Sequence, residues 1–222
     1  SVPKRLRYFL HRDMELTGRT LHIVLRALEA KLKQRCPGAP AAARLGAVTF
    51  IQRFGSALNR HTHLHCCVID GLFSQDEDGN LCFHPATELD EDDVAAVQGV
   101  VRQRVLSLFE RRGALGSEAV ADMRAWPHSG FSIDASVTVC ARDRAGLERL
   151  LRYCARPAFA SQRLVWENEG KELLYRLPKP RPDGQTVLRL TPLEFIERLA
   201  ALIPPPRRHR HRYHGVLAPV CP

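Results

Sequence analysis

The feature that most limits how this chain can fold is a pair of strand-forming runs joined by one short turn. The first, Gly46 to Gly55, contains Ala-Val-Thr-Phe-Ile-Gln-Arg-Phe, rich in β-branched and aromatic residues. The second starts at Asn59 and carries His61, His63 and His65 before Val68-Ile69 and the turn signal Asp70-Gly71. Ser56 to Arg60 turns one run into the other, so the two pair as antiparallel neighbours. Alternate residues of a strand share a face. The three histidines therefore line one face, and Thr62, Leu64 and Cys66 the other. Imidazoles two residues apart on a rigid strand can hold one metal ion between them. A metal held there can polarise a phosphate oxygen or activate a nucleophile.

Helical patterns surround this hairpin. Residues 2–12 mix basic and apolar residues at near-helical spacing. Asp13 then caps a helix running to about Gln34, with Leu21, Val24, Leu25 and Leu28 as its apolar stripe. Leu81 to His84 reads as a short edge strand. Glu88 to Asp93 opens a helix reaching about Arg112, its acidic start and basic end matched to the helix dipole. Residues 117–125 read as a short helix. Phe131 to Cys140 alternates apolar and polar residues, the pattern of a half-buried strand. Asp143 caps a helix that reaches Cys154 and is broken by Pro157. Residues 172–177 and 186–190 form a hairpin, and Pro192 to Ile203 a last helix. The sum is an α+β fold: an antiparallel sheet with helices packed on it, the histidine strand covered on one face and open on the other. The chain divides into an N-terminal helical segment over 1–45, a central domain over 46–203 that carries the histidine strand, and a basic C-terminal tail over 204–222.

Composition narrows the partner. Of 222 residues 45% are hydrophobic and 26% charged, as in ordinary soluble domains, and no apolar run approaches membrane-spanning length. The formal charge of +9 calls for a polyanion, nucleic acid before anionic membrane. The seven cysteines are odd in number and include no Cys-x-x-Cys pair, which fits a reducing cytoplasm and no disulfide framework. The N-terminus, without Met or a signal-peptide layout, reads as a cut end within a longer protein.

A second chemical constellation lies on the helix before Pro157. Tyr153 sits off the leucine stripe, with Arg149 and Arg156 about one turn to either side and Arg152 adjacent. Guanidiniums there can grip a phosphate, and a tyrosine attacking it would conserve the energy of a phosphodiester in a covalent intermediate. The tail run Arg207, Arg208, Arg210 and Arg212, interleaved with Tyr213, suits phosphate contact and base stacking as well as it suits a disordered linker.

A strand-borne His63-Leu64-His65 with a helix-borne Tyr153 later in the chain resembles the HUH endonuclease superfamily of replication initiators, relaxases and single-strand transposases. Longer strings are similar to the rolling-circle transposases of the IS-ninety-one and IS-common-region type. They run from Val48 to Asn59, Leu151 to Pro157, Pro192 to Ile196, Leu199 to Pro204 and Tyr213 to Pro219. The resemblance implies a ferredoxin-like sheet and a transposase that cleaves and joins single-stranded DNA at element ends and target. It implies His63 and His65 as ligands of Mg²⁺ or Mn²⁺, and Tyr153 as the nucleophile that forms a 5′-phosphotyrosine. It implies no membrane and no small-molecule substrate. His61, Gln52 and Asp70 are candidates for a third ligand. Two features depart from the pattern. Pro157 stands where some members carry a second tyrosine, so this reads as a single-tyrosine version. A cysteine-rich zinc segment is also absent from the given sequence. Its end at Pro222, where relatives continue, adds to the expectation of a fragment. Three other readings compete: a DNA- or RNA-binding module without catalysis, a different metal-dependent phosphodiesterase that uses water as nucleophile, and a rolling-circle replication initiator with the same chemistry.

Overall fold

In the computed structural model, which describes residues 1–204 and 209–219, the hairpin supplies the two inner strands of the main sheet. Strands β1 (Arg44–Phe54) and β2 (Arg60–Gln75) pair antiparallel, with Gln52 opposite His63 and Phe50 opposite His65. Strand β3 (Leu81–Pro85) adds to the far edge of β2.

The face bearing Leu64, Cys66 and Val68 is covered by helix α2 (Met14–Arg35), whose Leu21, Leu25 and Leu32 pack on Leu45, Ala47, Ile51 and Leu72. The Asp13 side chain caps α2 by accepting from Leu16 N at 2.9 Å. The apolar stripe read from the sequence divides between two cores. Leu21 and Leu25 face the sheet, while Val24 and Leu28 join a second core with α1 (Lys4–Arg12) and α3 (Glu91–Arg111). There Leu6, Leu10, Val101, Val105 and Phe109 meet Met123 of α4 (Ser117–Ala125). Residues 1–45 thus contribute to both cores together with residues 46–131. α3 begins with a reciprocal capping box of Asp90 and Asp93, which stops the acidic stretch from continuing the helix backwards.

Helix α5 (Arg144–Ala155) is capped by Asp143, which accepts from Gly146 N at 2.7 Å. A second, smaller sheet comes next in the chain: β4 (Leu164–Glu167), β5 (Glu172–Arg176) and β6 (Val187–Leu190). It packs Tyr175, Leu188 and Leu190 against Ala57 and Leu58 of the β1–β2 turn, under Phe195 and Leu199 of α6 (Pro192–Ala200).

Two sequence expectations are corrected. Phe131 to Cys140 forms no ladder with any described strand. Phe131 and Ile133 drop into the helical core, and Ile133 N is taken by the Gln98 side chain. The Asp134 carboxylate then accepts from both the backbone N and the hydroxyl of Ser136, a local bond that competes with strand pairing. The basic stretch, by contrast, is no tail over its described part. His211–Gly215 is strand β7, antiparallel to β1, which makes the main sheet β3-β2-β1-β7. Arginine richness hid the period of two. Arg207 and Arg208 lie outside the described residues. Among the described residues no helix is long and apolar enough to cross a membrane.

Candidate active site on the histidine face

Strand alternation delivers the expected division of β2. Leu64, Cys66 and Val68 pack toward α2, while the rings of His61, His63 and His65 meet edge to face in a row, with centroids 5.0 and 4.9 Å apart. The face opposite α2 is not open, however, because α5 lies across it. Gln52, on β1 and 4% exposed, reaches from this face to donate through Nε2 to the Cys154 carbonyl at 2.7 Å. The sulfurs of Cys67 and Cys154 lie 4.0 Å apart. With α5 held at these two points, the Tyr153 ring stands edge-on to His65, centroids 5.6 Å apart, and remains half exposed. Arg156 lies over the Tyr153 ring at 4.5 Å, a cation–π contact.

The imidazoles are kept neutral. Burial pushes His61 and His65 down to about 4, helped by Arg7 and His63 around His61 and by His63 and Arg156 around His65. Burial also lowers His63, whose Nδ1 donates to the His61 carbonyl at 3.0 Å. That bond fixes the tautomer and leaves the lone pair on Nε2. Neutral imidazole is the form that ligates a metal.

Two buried polar atoms on this face, His65 Nε2 and Gln52 Oε1, lack a partner among the described residues. Buried groups are ordinarily satisfied, so these two atoms can take a water or a ligand atom as partner. Among the described residues no three His, Cys, Asp or Glu side chains are arranged to hold a metal ion. A divalent ion on His63 and His65 would take its further ligands from water, a bound phosphate or another side-chain oxygen, and Gln52 Oε1 on the same face is the candidate for the last. Asp70 does not: it is exposed and five residues along β2 from His65, about 16 Å at strand rise.

The arginines divide. Arg156 joins the site. Arg149 pairs with Asp143 at 3.7 Å and Arg152 with Glu148 at 2.7 Å, both exposed on α5. Arg210 is exposed just before β7, and its carbonyl accepts from Ile51 N at 2.7 Å. Arg212 opposes Thr49 and runs toward Gly18 of α2, away from the histidines. The sequence reading missed two groups. Arg7 has no motif to announce it and acts only through the packing of α1. The cysteine contact to α5 had a faint signal in the adjacent Cys66-Cys67.

A strand-borne imidazole cluster facing a helix-borne tyrosine, in a basic α+β protein, brings together a metal-binding type of side chain and a candidate nucleophile. The family model described as "Putative transposase" matches residues 46–222. The chain belongs to this transposase family, so its business is DNA transposition and its partner is DNA. No curated protein and no solved structure matches it.

Proposed function

We propose that the chain cleaves and joins single-stranded DNA by the HUH chemistry, with Tyr153 as nucleophile and His63, His65 and Gln52 Oε1 as the protein ligands of a divalent ion. The observation that carries this reading is the edge-on approach of Tyr153 to His65 at 5.6 Å, with the partnerless His65 Nε2 and Gln52 Oε1 on the same face. A bound Mg²⁺ or Mn²⁺ would polarise the scissile phosphate, and Mn²⁺ accepts nitrogen ligands more readily.

The chain's own residues do the remaining work. The Tyr153 oxygen attacks phosphorus and gives up its proton; the bond to the 3′-oxygen breaks, leaving a 3′-hydroxyl and a 5′-phosphotyrosine. Arg156, already over the tyrosine ring, offers charge-assisted hydrogen bonds to the phosphate as charge builds. Gln52 holds α5 against the sheet so that the nucleophile does not have to be ordered during the reaction. Joining is the reverse step: a target 3′-hydroxyl displaces the tyrosine and restores a phosphodiester.

The test is covalent capture on a denaturing gel, with labelled single-stranded DNA from the sequence flanking the gene and Mn²⁺ or Mg²⁺. An adduct that disappears in Tyr153→Phe, and in His63→Ala with His65→Ala, is the expected result. Cleavage without an adduct would instead identify water as the nucleophile and overturn the assignment of Tyr153.

A further inference from the structure

The histidine row continues across the sheet as an aromatic surface that the cleavage chemistry does not use. Register places His65 opposite Phe50 on β1, and Phe50 opposite His211 on β7, so the three share one face on three adjacent strands. The Phe50 and His211 rings lie 6.3 Å apart, and His211 meets Tyr213 edge-on at 5.7 Å. His211 is exposed and Tyr213 is 49% exposed.

We infer that Phe50, His211 and Tyr213 form a stacking platform for unpaired bases of single-stranded DNA next to the phosphate held at His63 and His65. This rests on the proposed substrate. Three features favour this occupant. The platform is continuous with the histidine row. Arg210 beside it is exposed, and Arg156 sits at the other end of the row, so cations flank the rings on a chain of net charge +9. On the β7 side of this face the exposed rings of His211 and Tyr213, with the half-buried Phe50 beside them, offer stacking to any base that is not paired, whereas a base inside a duplex has no free face to give.

The experiment compares two single-stranded probes with the same phosphates, a thymidine homopolymer about 20 nucleotides long and an abasic chain of equal length. Binding is read by fluorescence anisotropy without divalent metal, in the Tyr153→Phe background, so cutting plays no part. The background protein should prefer the base-bearing probe by about fivefold or more. Tyr213→Ala and His211→Ala should each lose most of that preference while binding the abasic probe as before. Tyr213→Phe, which keeps the ring, should retain it. Tyr213→Leu keeps apolar bulk without a π face and should behave as the Ala variant, which guards against a misfolded strand. Equal affinity for both probes, or a preference that survives loss of either ring, would overturn the platform. A preference with no adduct in the capture assay would uphold the platform and sink the catalytic reading.

Discussion

The side-chain amide of Gln52 on β1 donates to the carbonyl of Cys154 on α5 at 2.7 Å. Cys154 lies in the last turn of its helix, where carbonyls have no partner within the helix, so the bond satisfies a group that would otherwise be buried unpaired. With the Cys67–Cys154 contact, this bond ties the strand hairpin to the helix that bears Tyr153.

Gln52→Ala should lower stability by about 1–3 kcal/mol, because a buried acceptor loses its donor. It should also cut adduct formation by about 10- to 100-fold. Gln52→Glu keeps an oxygen but loses the donor. It should show the stability loss in urea denaturation yet retain more Mn²⁺ affinity than the Ala variant. Equal Mn²⁺ affinity in both variants would count against Gln52 as a ligand.

The Cys67 thiol is drawn down to about 7 by a hydrogen bond from Cys154, while the Cys154 thiol is pushed up. Mass-spectrometric mapping of iodoacetamide labelling near pH 7.5 should find Cys67 modified ahead of the buried Cys36 and of Cys66, which burial pushes up. In Cys154→Ala the lead of Cys67 should shrink, since its thiolate loses the donor.

Asp93, 5% exposed, ties α3 to α2 through Lys31 at 3.1 Å and Arg35 at 2.6 Å. The Arg35 hydrogen bond is the largest influence holding its carboxyl down at about 2, against an ordinary value of 3.8. A depressed carboxyl contributes stability above its unfolded value and loses it as pH falls through the folded one. Asp93→Asn should therefore be less stable than the parent above pH 4. The two melting curves should converge toward pH 2.

Gly215 has φ of +59°, and a Cβ there would fall 1.6 Å from the Leu45 carbonyl oxygen. Gly215→Ala should pull β7 off β1, costing about 1–3 kcal/mol by thermal denaturation. Protection of the β1 amides that face β7 should drop in hydrogen exchange, with the β1–β2 ladder left intact.

Local sequence was enough to specify the hairpin, the division of β2 between histidines and apolar residues, and the helix starts at Asp13 and Asp143. Each of these comes from local chemistry: β-branched runs, a period of two, and a carboxylate that caps free amides. Spacing also set His63, His65 and Tyr153 apart, but not the approach of α5 to the sheet, which depends on partners 102 residues apart, Gln52 and Cys154. That His211–Gly215 adds the fourth strand beside β1 was legible only in three dimensions, because strand pairing is settled by the partner edge and not by composition. The same holds for Phe131 to Cys140, where a sound alternation lost to the Asp134 side chain and to the helical core. Patterns within one element are written in the chain; which elements meet is decided by burial and by where each backbone donor finds its acceptor.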